Sequence, residues 1–173
     1  MAVAPQNKRQ VIAVVVSCTL LVLWCAFIFY MSAQPADDST AISNEFSFQF
    51  LSIVWPDFST MSPADQQYWC DTIDHPVRKL AHFSEYALLG VLMANVCLRA
   101  ARLARRDAAE RGMLKAGALS WAIATCYAAT DEFHQMFVPG RACLITDVLI
   151  DSSGVALGVV LFCVCWRVAQ RRR

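Results

Sequence analysis

Residues 127–158 read YAATDEFHQMFVPGRACLITDVLIDSSGVALG, and they join two apolar segments through a short polar loop. Ionisable side chains close the first segment, and two aspartates open the second. The flanking sequence is apolar enough to lie in lipid, where a charged side chain costs roughly 2.5–3.5 kcal/mol on insertion scales. Carboxylates in such a place must therefore be paired, hydrated or functional. A second polar cluster, residues 79–86, opens another apolar segment in the same way. We interpret the two clusters as halves of one site.

The whole chain is unusually apolar for a soluble protein. Hydrophobic residues make up 57% of its 173 residues, and its mean hydropathy is +0.43. A transmembrane helix needs ~20 apolar residues, and four stretches are close to that length: residues 11–31, 79–98, 114–130 and 145–166. We therefore predict an all-α fold, an integral membrane bundle of four transmembrane helices that forms a single domain over residues 1–173. The net charge of +1 gives no indication of a nucleic-acid partner.

The positions of the basic residues predict the orientation of these spans. All but three of the 15 Lys and Arg residues lie at the two termini or between the second and third spans. Four spans place these regions on one face of the membrane, and the positive-inside rule makes that face cytoplasmic. We therefore predict cytoplasmic N- and C-termini. The three exceptions, Arg78, Lys79 and Arg141, fall in the two polar clusters on the outer side.

The only long connection in this arrangement is the outer loop, residues 32–78. Between residues 39 and 55 the apolar side chains recur at intervals of three and four, which is typical of an amphipathic helix lying at a membrane surface. A small cap packed on the bundle explains the pattern equally well. Ser62 and Pro63 can start a second short helix, and we expect Pro76 to mark the start of the second span.

Eight cysteines occur in the chain, and most of them fall inside or at the ends of the predicted spans. There they are most simply small apolar packing residues. Cys70 and Cys143 alone lie in outer loops, where the compartment is oxidising. A disulfide between these two residues is therefore a hypothesis.

Each of the last three spans carries a stripe of polar or small side chains that begins at its outer end. Residues that are three, four or seven apart share one face of a helix. The stripes comprise Lys79, His82 and Tyr86 on the second span, Tyr127, Asp131 and Gln135 on the third, and Asp147, Asp151, Gly154 and Gly158 on the fourth. The two glycines allow a neighbouring helix to approach closely. Because helices joined by short loops pack side by side, we expect the stripes to converge.

The candidate site residues follow from this convergence. Lys79 and Arg141 would neutralise carboxylates or hold an anion. Near neutral pH, His82 is the side chain best suited to moving a proton. The candidate proton carriers are His82, Glu85, Asp131 and Glu132. The candidate binding residues are Lys79, His82, Tyr86, Asp131, Glu132, Gln135, Arg141, Asp147 and Asp151. Each also has a purely structural explanation, such as a lysine that anchors a helix end by snorkelling.

A metal site is a minor alternative. It would use His82, Glu132, Asp147 and His134 around a divalent ion. The sequence has no compact signature such as H-E-x-x-H, so we predict neither a metal nor another cofactor.

Taken together, these motifs resemble the VanZ-like family, bacterial multi-pass membrane proteins named after a protein of teicoplanin resistance. The resemblance covers roughly residues 11–166. It rests on K-x-x-H-x-x-x-Y and L-G at 79–90, on D-E-x-H-Q and P-G-R at 131–141, and on Asp147 with G-x-x-x-G at 154–158. Asp151 departs from the family pattern, which more usually has Asn there. The resemblance implies the four-span fold, a bacterial cytoplasmic membrane and a link to the cell envelope, but no established reaction.

Two classes of function are consistent with these features. The first is an outer-leaflet site that binds or modifies a lipid, a lipid-linked wall precursor or a glycopeptide, with a link to glycopeptide (teicoplanin) resistance. The second is a membrane-embedded enzyme, either acid/base or metal-dependent, that acts on a lipid-linked substrate. In both cases the lipid bilayer is the expected surrounding, while the oligomeric state stays open.

Overall fold

The computed structural model describes residues 5–104 and 110–172, and within these residues the protein is helical without any strand. The all-α prediction is thereby confirmed. A short 3-10 turn, Phe58–Thr60, follows the second helix. The α-helices of the described part are α1 (Pro5–Ser32), α2 (Ala36–Val54), α3 (Pro63–Leu103), α4 (Glu110–Gln135) and α5 (Ile145–Arg171).

Three of the described helices are long and apolar enough to cross a membrane. They are α3, α5 and the part of α1 from Lys8 to Ser32. The predicted span 114–130 lies in α4, which is not among them, because Lys115 and several hydroxyl-bearing and aromatic side chains reduce its apolarity. The fourth span therefore stays a prediction, as does the orientation. Of the basic residues behind that orientation, Arg105, Arg106 and Arg173 lie outside the described residues.

Hydrogen bonds between side chains and neighbouring helices define how α1 runs against α3. The indole Nε1 of Trp24 donates to the backbone oxygen of Glu85 over 3.0 Å. At the other end of the contact, the amide Nδ2 of Asn95 donates to Ser17 Oγ over 3.1 Å. Later residues of α3 thus meet earlier residues of α1, so the two helices are antiparallel.

The pair α4 and α5 is antiparallel as well. Trp121 Nε1 donates to the backbone oxygen of Ser152 over 3.3 Å, and the backbone N–H of Leu144 donates to Glu132 Oε1 over 2.8 Å. Helices α1, α3, α4 and α5 therefore alternate in direction along the chain. Their shared apolar core contains Ile28, Tyr86, Leu89, Met93, Ala94, Ala124, Ala128, Val155 and Val159.

The closest helix contact joins α3 and α5 through glycine. A Cβ atom at Gly158 would lie 1.9 Å from the backbone oxygen of Ala87, and one at Gly154 would lie 2.3 Å from that of Phe83. Neither distance leaves room for a methyl group, because the obstructing atom is backbone. The predicted close approach of a neighbouring helix to these glycines is confirmed. The pairing also runs in the same direction on both helices, so α3 and α5 are parallel.

Helix α3 is longer than the sequence predicted. Its N-cap is Ser62, whose side chain accepts from the backbone N–H of Asp65, so the predicted helix start is confirmed. However, the helix then continues through Pro76 to Leu103 as 41 residues. Pro76 therefore marks no helix boundary, since residues 63–78 belong to the same helix as the second span, and the point where that span enters the membrane stays a prediction. At 1.5 Å per residue the helix is about 60 Å long, twice the ~30 Å hydrocarbon thickness.

Helix α2 confirms the predicted helix in this region, and it packs on the bundle as a cap. Its serine-rich face packs on the first part of α3, where Ser47 is fully buried and Leu51 is buried. Other apolar side chains of α2 stay exposed, with Ile42 54% exposed and Ile53 82% exposed. The helix is therefore a cap on the bundle that still presents an apolar surface.

The predicted disulfide between Cys70 and Cys143 is not formed, since both thiols are free. Cys70 lies on α3 and is buried against Leu51 and Phe58. Cys143 is exposed in the connection between α4 and α5. The sequence placed both residues in outer loops, but Cys70 belongs to the helical extension that the sequence did not predict.

The glycine contact yields a test with an internal control. We expect Gly158→Ala to lower the thermal stability of the protein in detergent, because overpacking costs ~1–3 kcal/mol. Gly117→Ala is the matched control, since its Cβ would meet Val159 Cγ1 at 3.5 Å and Cys163 Sγ at 3.6 Å, both ordinary contacts. Ala is ~1 kcal/mol better than Gly in a helix, so Gly117→Ala should be neutral or stabilising. Equal stability of both variants would contradict the close α3–α5 contact.

Candidate functional site

A polar cavity of about 200 Å³ lies at the end of the bundle where α4 ends and α5 begins. It collects seven of the nine predicted binding residues, while Tyr86 and Asp131 belong to the buried interior. The polar stripes of α3, α4 and α5 therefore converge as expected. The predicted residues that line the cavity are Lys79, His82, Glu132, Gln135, Arg141, Asp147 and Asp151.

An ion pair between Lys79 and Asp147 joins α3 to α5 at the cavity. The two side chains are partly exposed, at 25% and 28%. This contact meets the expectation that a basic residue of the site lies within ion-pair reach of a carboxylate. Because the pair is partly exposed, it neutralises the charge of Lys79 without contributing much to stability.

Asp131 connects three helices from a buried position. Its carboxylate accepts from Ser32 Oγ over 2.6 Å and from the Tyr86 hydroxyl over 3.0 Å, and the residue is only 4% exposed. The neighbouring Glu132 accepts from the backbone of Leu144 and so holds the start of α5. Both acids have structural hydrogen bonds.

Arg141 is held in place by the turn that precedes it. Gly140 has φ of 75°, a left-handed conformation that favours glycine, and the backbone oxygen of Pro139 accepts from Ala36 N over 3.1 Å. This turn is thereby fastened to the start of α2. The guanidinium donates to the backbone oxygens of Gln34 at 2.9 Å and Met31 at 3.4 Å, and to Gln135 Oε1 at 3.4 Å.

The charge of Arg141 is only partly balanced by its surroundings. In the described part of the chain, no carboxylate forms an ion pair with it, and its hydrogen-bond acceptors are all neutral. Burial and then the neighbouring Arg78 lower the pKa of Arg141, while the nearby carboxylates of Asp131, Glu132 and Glu85 act in the opposite direction without reversing the shift. A guanidinium stays protonated in proteins, so the lowered pKa reports an unfavourable positive charge. An anion in the cavity would relieve it.

Asp151, in contrast to Arg141, is an acidic residue with an oxygen that lacks a hydrogen-bond donor in the described structure. It lines the same cavity but is only 3% exposed. Its Oδ1 atom has no hydrogen-bond partner among the described residues. A buried polar atom without a partner costs free energy, so this oxygen is suited to accept a hydrogen bond from a bound molecule or to carry a proton.

The other candidate proton carriers and metal ligands are more dispersed. His82 lines the cavity, but Glu85 does not, and lies instead along a neighbouring groove. His134 is not at the cavity either, since its ring packs on Phe29 at 4.5 Å. Among the described residues, no three His, Cys, Asp or Glu side chains are grouped so that they could hold a metal ion. The metal alternative built on His82, Glu132, Asp147 and His134 gains no support.

Two further residues that line the cavity, His75 and Arg78, are not among the predicted site residues. The sequence places Arg78 in the outer polar clusters without a role, and His75 precedes Pro76, the expected start of the second span. Arg78 pairs with Asp74 over 3.1 Å. The signal was present, because residues 75, 78, 79 and 82 are spaced i, i+3, i+4 and i+7 and so share one helix face. This face was not recognised because it runs across Pro76, and a proline normally ends a helix.

Comparison with known proteins gives one match. A family model described as VanZ/LLP1 matches residues 17–166. No curated protein and no solved structure matches the chain. The matched region runs from α1 to α5 and includes every residue that lines the cavity.

The acids of the site should differ in their effect on stability. We expect Asp131→Ala to destabilise the protein clearly, because it leaves the buried Tyr86 hydroxyl without an acceptor at ~1–3 kcal/mol and also removes the hydrogen bond from Ser32, whose hydroxyl keeps only the backbone oxygen of Phe29. Asp147→Ala breaks only the partly exposed pair with Lys79 and should cost ~0–1 kcal/mol. Thermal unfolding of the purified variants in one detergent compares them directly. A larger loss for Asp147→Ala would show that the ion pair, and not Asp131, holds this end of the bundle.

Proposed function

The chain belongs to the VanZ/LLP1 family, and from this premise we propose that it is an integral membrane protein of the bacterial cell envelope that binds an anionic lipid headgroup. The ligand is a membrane lipid or a lipid-linked wall precursor, held in the polar cavity at the outer leaflet. The observation that carries this proposal is Arg141, a partly buried guanidinium with only neutral partners among the described residues. A phosphate group supplies the missing negative charge.

The proposed topology has four spans in the cytoplasmic (inner) membrane, with both termini in the cytoplasm. Helix α4 supports it, since α4 lies antiparallel to α5 from Trp121 to Glu132 and would cross the same layer. Its less apolar surface is partly covered by its neighbours in the bundle. The cavity then lies at the outer end, opposite the basic segments of the chain, as the positive-inside rule requires.

The charges around the cavity favour a specific assignment of roles. Lys79 is neutralised by Asp147 and Arg78 by Asp74, so Arg141 remains as the cation available to a ligand. Its planar fork suits two oxygens of a phosphate. The free oxygen of Asp151 would accept from a hydroxyl or ammonium group beside that phosphate. Phospholipid headgroups and lipid-linked sugars share this combination.

A link to antibiotic resistance and any reaction at the site depend on which lipid is bound. A lipid-linked wall precursor held at this site would connect the geometry to glycopeptide (teicoplanin) resistance, since it would change what a glycopeptide meets at the outer surface. The alternative function is acid/base catalysis on the bound lipid. It is favoured by His82 and Glu132, which line the same cavity, with His82 as the group that moves the proton.

Replacement of Arg141 tests the proposal. We expect Arg141→Gln to weaken binding of phosphatidylglycerol by ~10-fold or more, because hydrogen bonds to charged groups contribute ~1.5–3 kcal/mol. Arg141→Lys should retain part of the affinity, since it keeps the charge and loses the fork. Native mass spectrometry of the full chain, released from lipid nanodiscs, measures the bound lipid.

The matched control is Arg102→Gln, which removes the same charge at the far end of α3. Arg102 is exposed and lies over the ring of Trp166 at 4.6 Å, so its loss should leave lipid binding unchanged. Equal affinity of the wild type and Arg141→Gln, with both folded, would refute the headgroup site.

A further inference from the structure

An apolar groove of about 460 Å³ lies between α2 and α3, beside the polar cavity. Its volume falls within the ~300–1,000 Å³ that is typical of small-molecule sites. Its apolar walls comprise Ile42, Phe46 and Phe50 from α2, and Val77, Leu80 and Ala81 from α3. Nothing in the polar site explains why the two helices leave this space between them.

The groove and the polar cavity adjoin each other. Arg78, His82 and Arg141 line both of them. The polar end of the groove is therefore the cationic side of the proposed headgroup site. Glu85 also lines the groove, and it lies one turn from His82 and interacts electrostatically with Arg141, so it belongs to the same end. Beyond this end the walls are mostly apolar.

The groove is open along its side to the surroundings of the bundle. Phe46 is 58% exposed and Leu80 is 64% exposed, although both line the groove. Leu80 lies at the outer end of the second predicted span, where headgroups give way to hydrocarbon. A lipid could therefore enter sideways from the membrane without passing through the bundle.

We propose that the groove holds a hydrocarbon chain of the same anionic lipid whose phosphate lies at Arg141. This inference rests on the proposed function and narrows its ligand to an amphiphile in which the anion and the chain are recognised together. Helix α2 is then the wall of a chain-binding site. The packing of α2 agrees with this role. Its buried Ser43 and Ser47 face α3, and its apolar side chains line the groove.

The test uses a phosphatidylglycerol that carries a photoreactive diazirine in one acyl chain. The full-length protein is placed in phosphatidylcholine nanodiscs with this probe, illuminated, and its labelled peptides are mapped by mass spectrometry. We expect label on α2 and on residues 77–81 of α3, and loss of this label in Arg141→Gln. Diacylglycerol with the same diazirine chain lacks the phosphate and should label these segments less.

Two substitutions of one residue type separate the groove from the general apolar surface of α2. Ile42→Asn should reduce the groove label about threefold or more, since it removes an apolar wall. Ile53→Asn should leave it unchanged, because Ile53 is more exposed and is not among the groove-lining residues. Equal losses for both variants would mean that α2 only anchors the protein to the membrane surface, which overturns the inference.

The remaining outcomes distinguish the inference from the function on which it rests. Label spread evenly over the exposed faces of α1 and α5 overturns the chain site, while Arg141-dependent lipid binding would still stand. Groove label that is equal for both probes and unaffected by Arg141→Gln overturns the headgroup site and its coupling to the groove. An unlabelled α2 in nanodiscs that hold two copies would assign the groove to a second copy, and that also overturns the inference.

Discussion

The backbone contact between α3 and α5 is the constraint on which the rest of the structure depends. Lipid provides no hydrophobic force between helices, so helices in a membrane associate through close packing and hydrogen bonds. Gly90, Gly154 and Gly158 have no side chain at the points where the two backbones come closest, and a Cβ at any of them would lie within 2.4 Å of a backbone oxygen. Because the helices are parallel and in register, Lys79 is brought beside Asp147 at the polar end.

At the polar end of the bundle, different residues serve stability and the proposed function. Asp131 and Glu132 accept hydrogen bonds that connect helices and hold the start of α5. By contrast, Arg141 and Asp151 have incomplete partners in the described structure and face one cavity. Stability alone does not explain a partly buried cation without an ion pair beside a buried carboxylate oxygen without a donor, within the residues described. A ligand that carries a phosphate and a hydrogen-bond donor satisfies both.

Much of this arrangement could be predicted from the sequence, because helical periodicity is local. The stripes that begin at Lys79, Tyr127 and Asp147 follow from spacing alone, and so do the amphipathic α2 and the small residues of α5. The features that the sequence did not predict depend on tertiary contacts. Pro76 normally ends a helix, but here α2 packs along the segment around it, and the Asp74–Arg78 pair spans the proline. Because α3 continues through this proline, His75 reaches the cavity, Cys70 lies in a helix, and Val77 lines the groove.

The central claim is that the Arg141 guanidinium contacts a lipid phosphate, and a nitrogen–phosphorus distance tests it most directly. Solid-state NMR can measure ¹⁵N–³¹P dipolar coupling in arginine-labelled protein within phosphatidylglycerol bilayers. The signal of Arg141 is identified as the one that Arg141→Gln removes. Charge-assisted hydrogen bonds of ~2.7–2.9 Å between nitrogen and oxygen predict strong coupling for Arg141 and weaker coupling for the exposed Arg102 at the other end of α3. Strong coupling for other arginines but none for Arg141 would contradict the account.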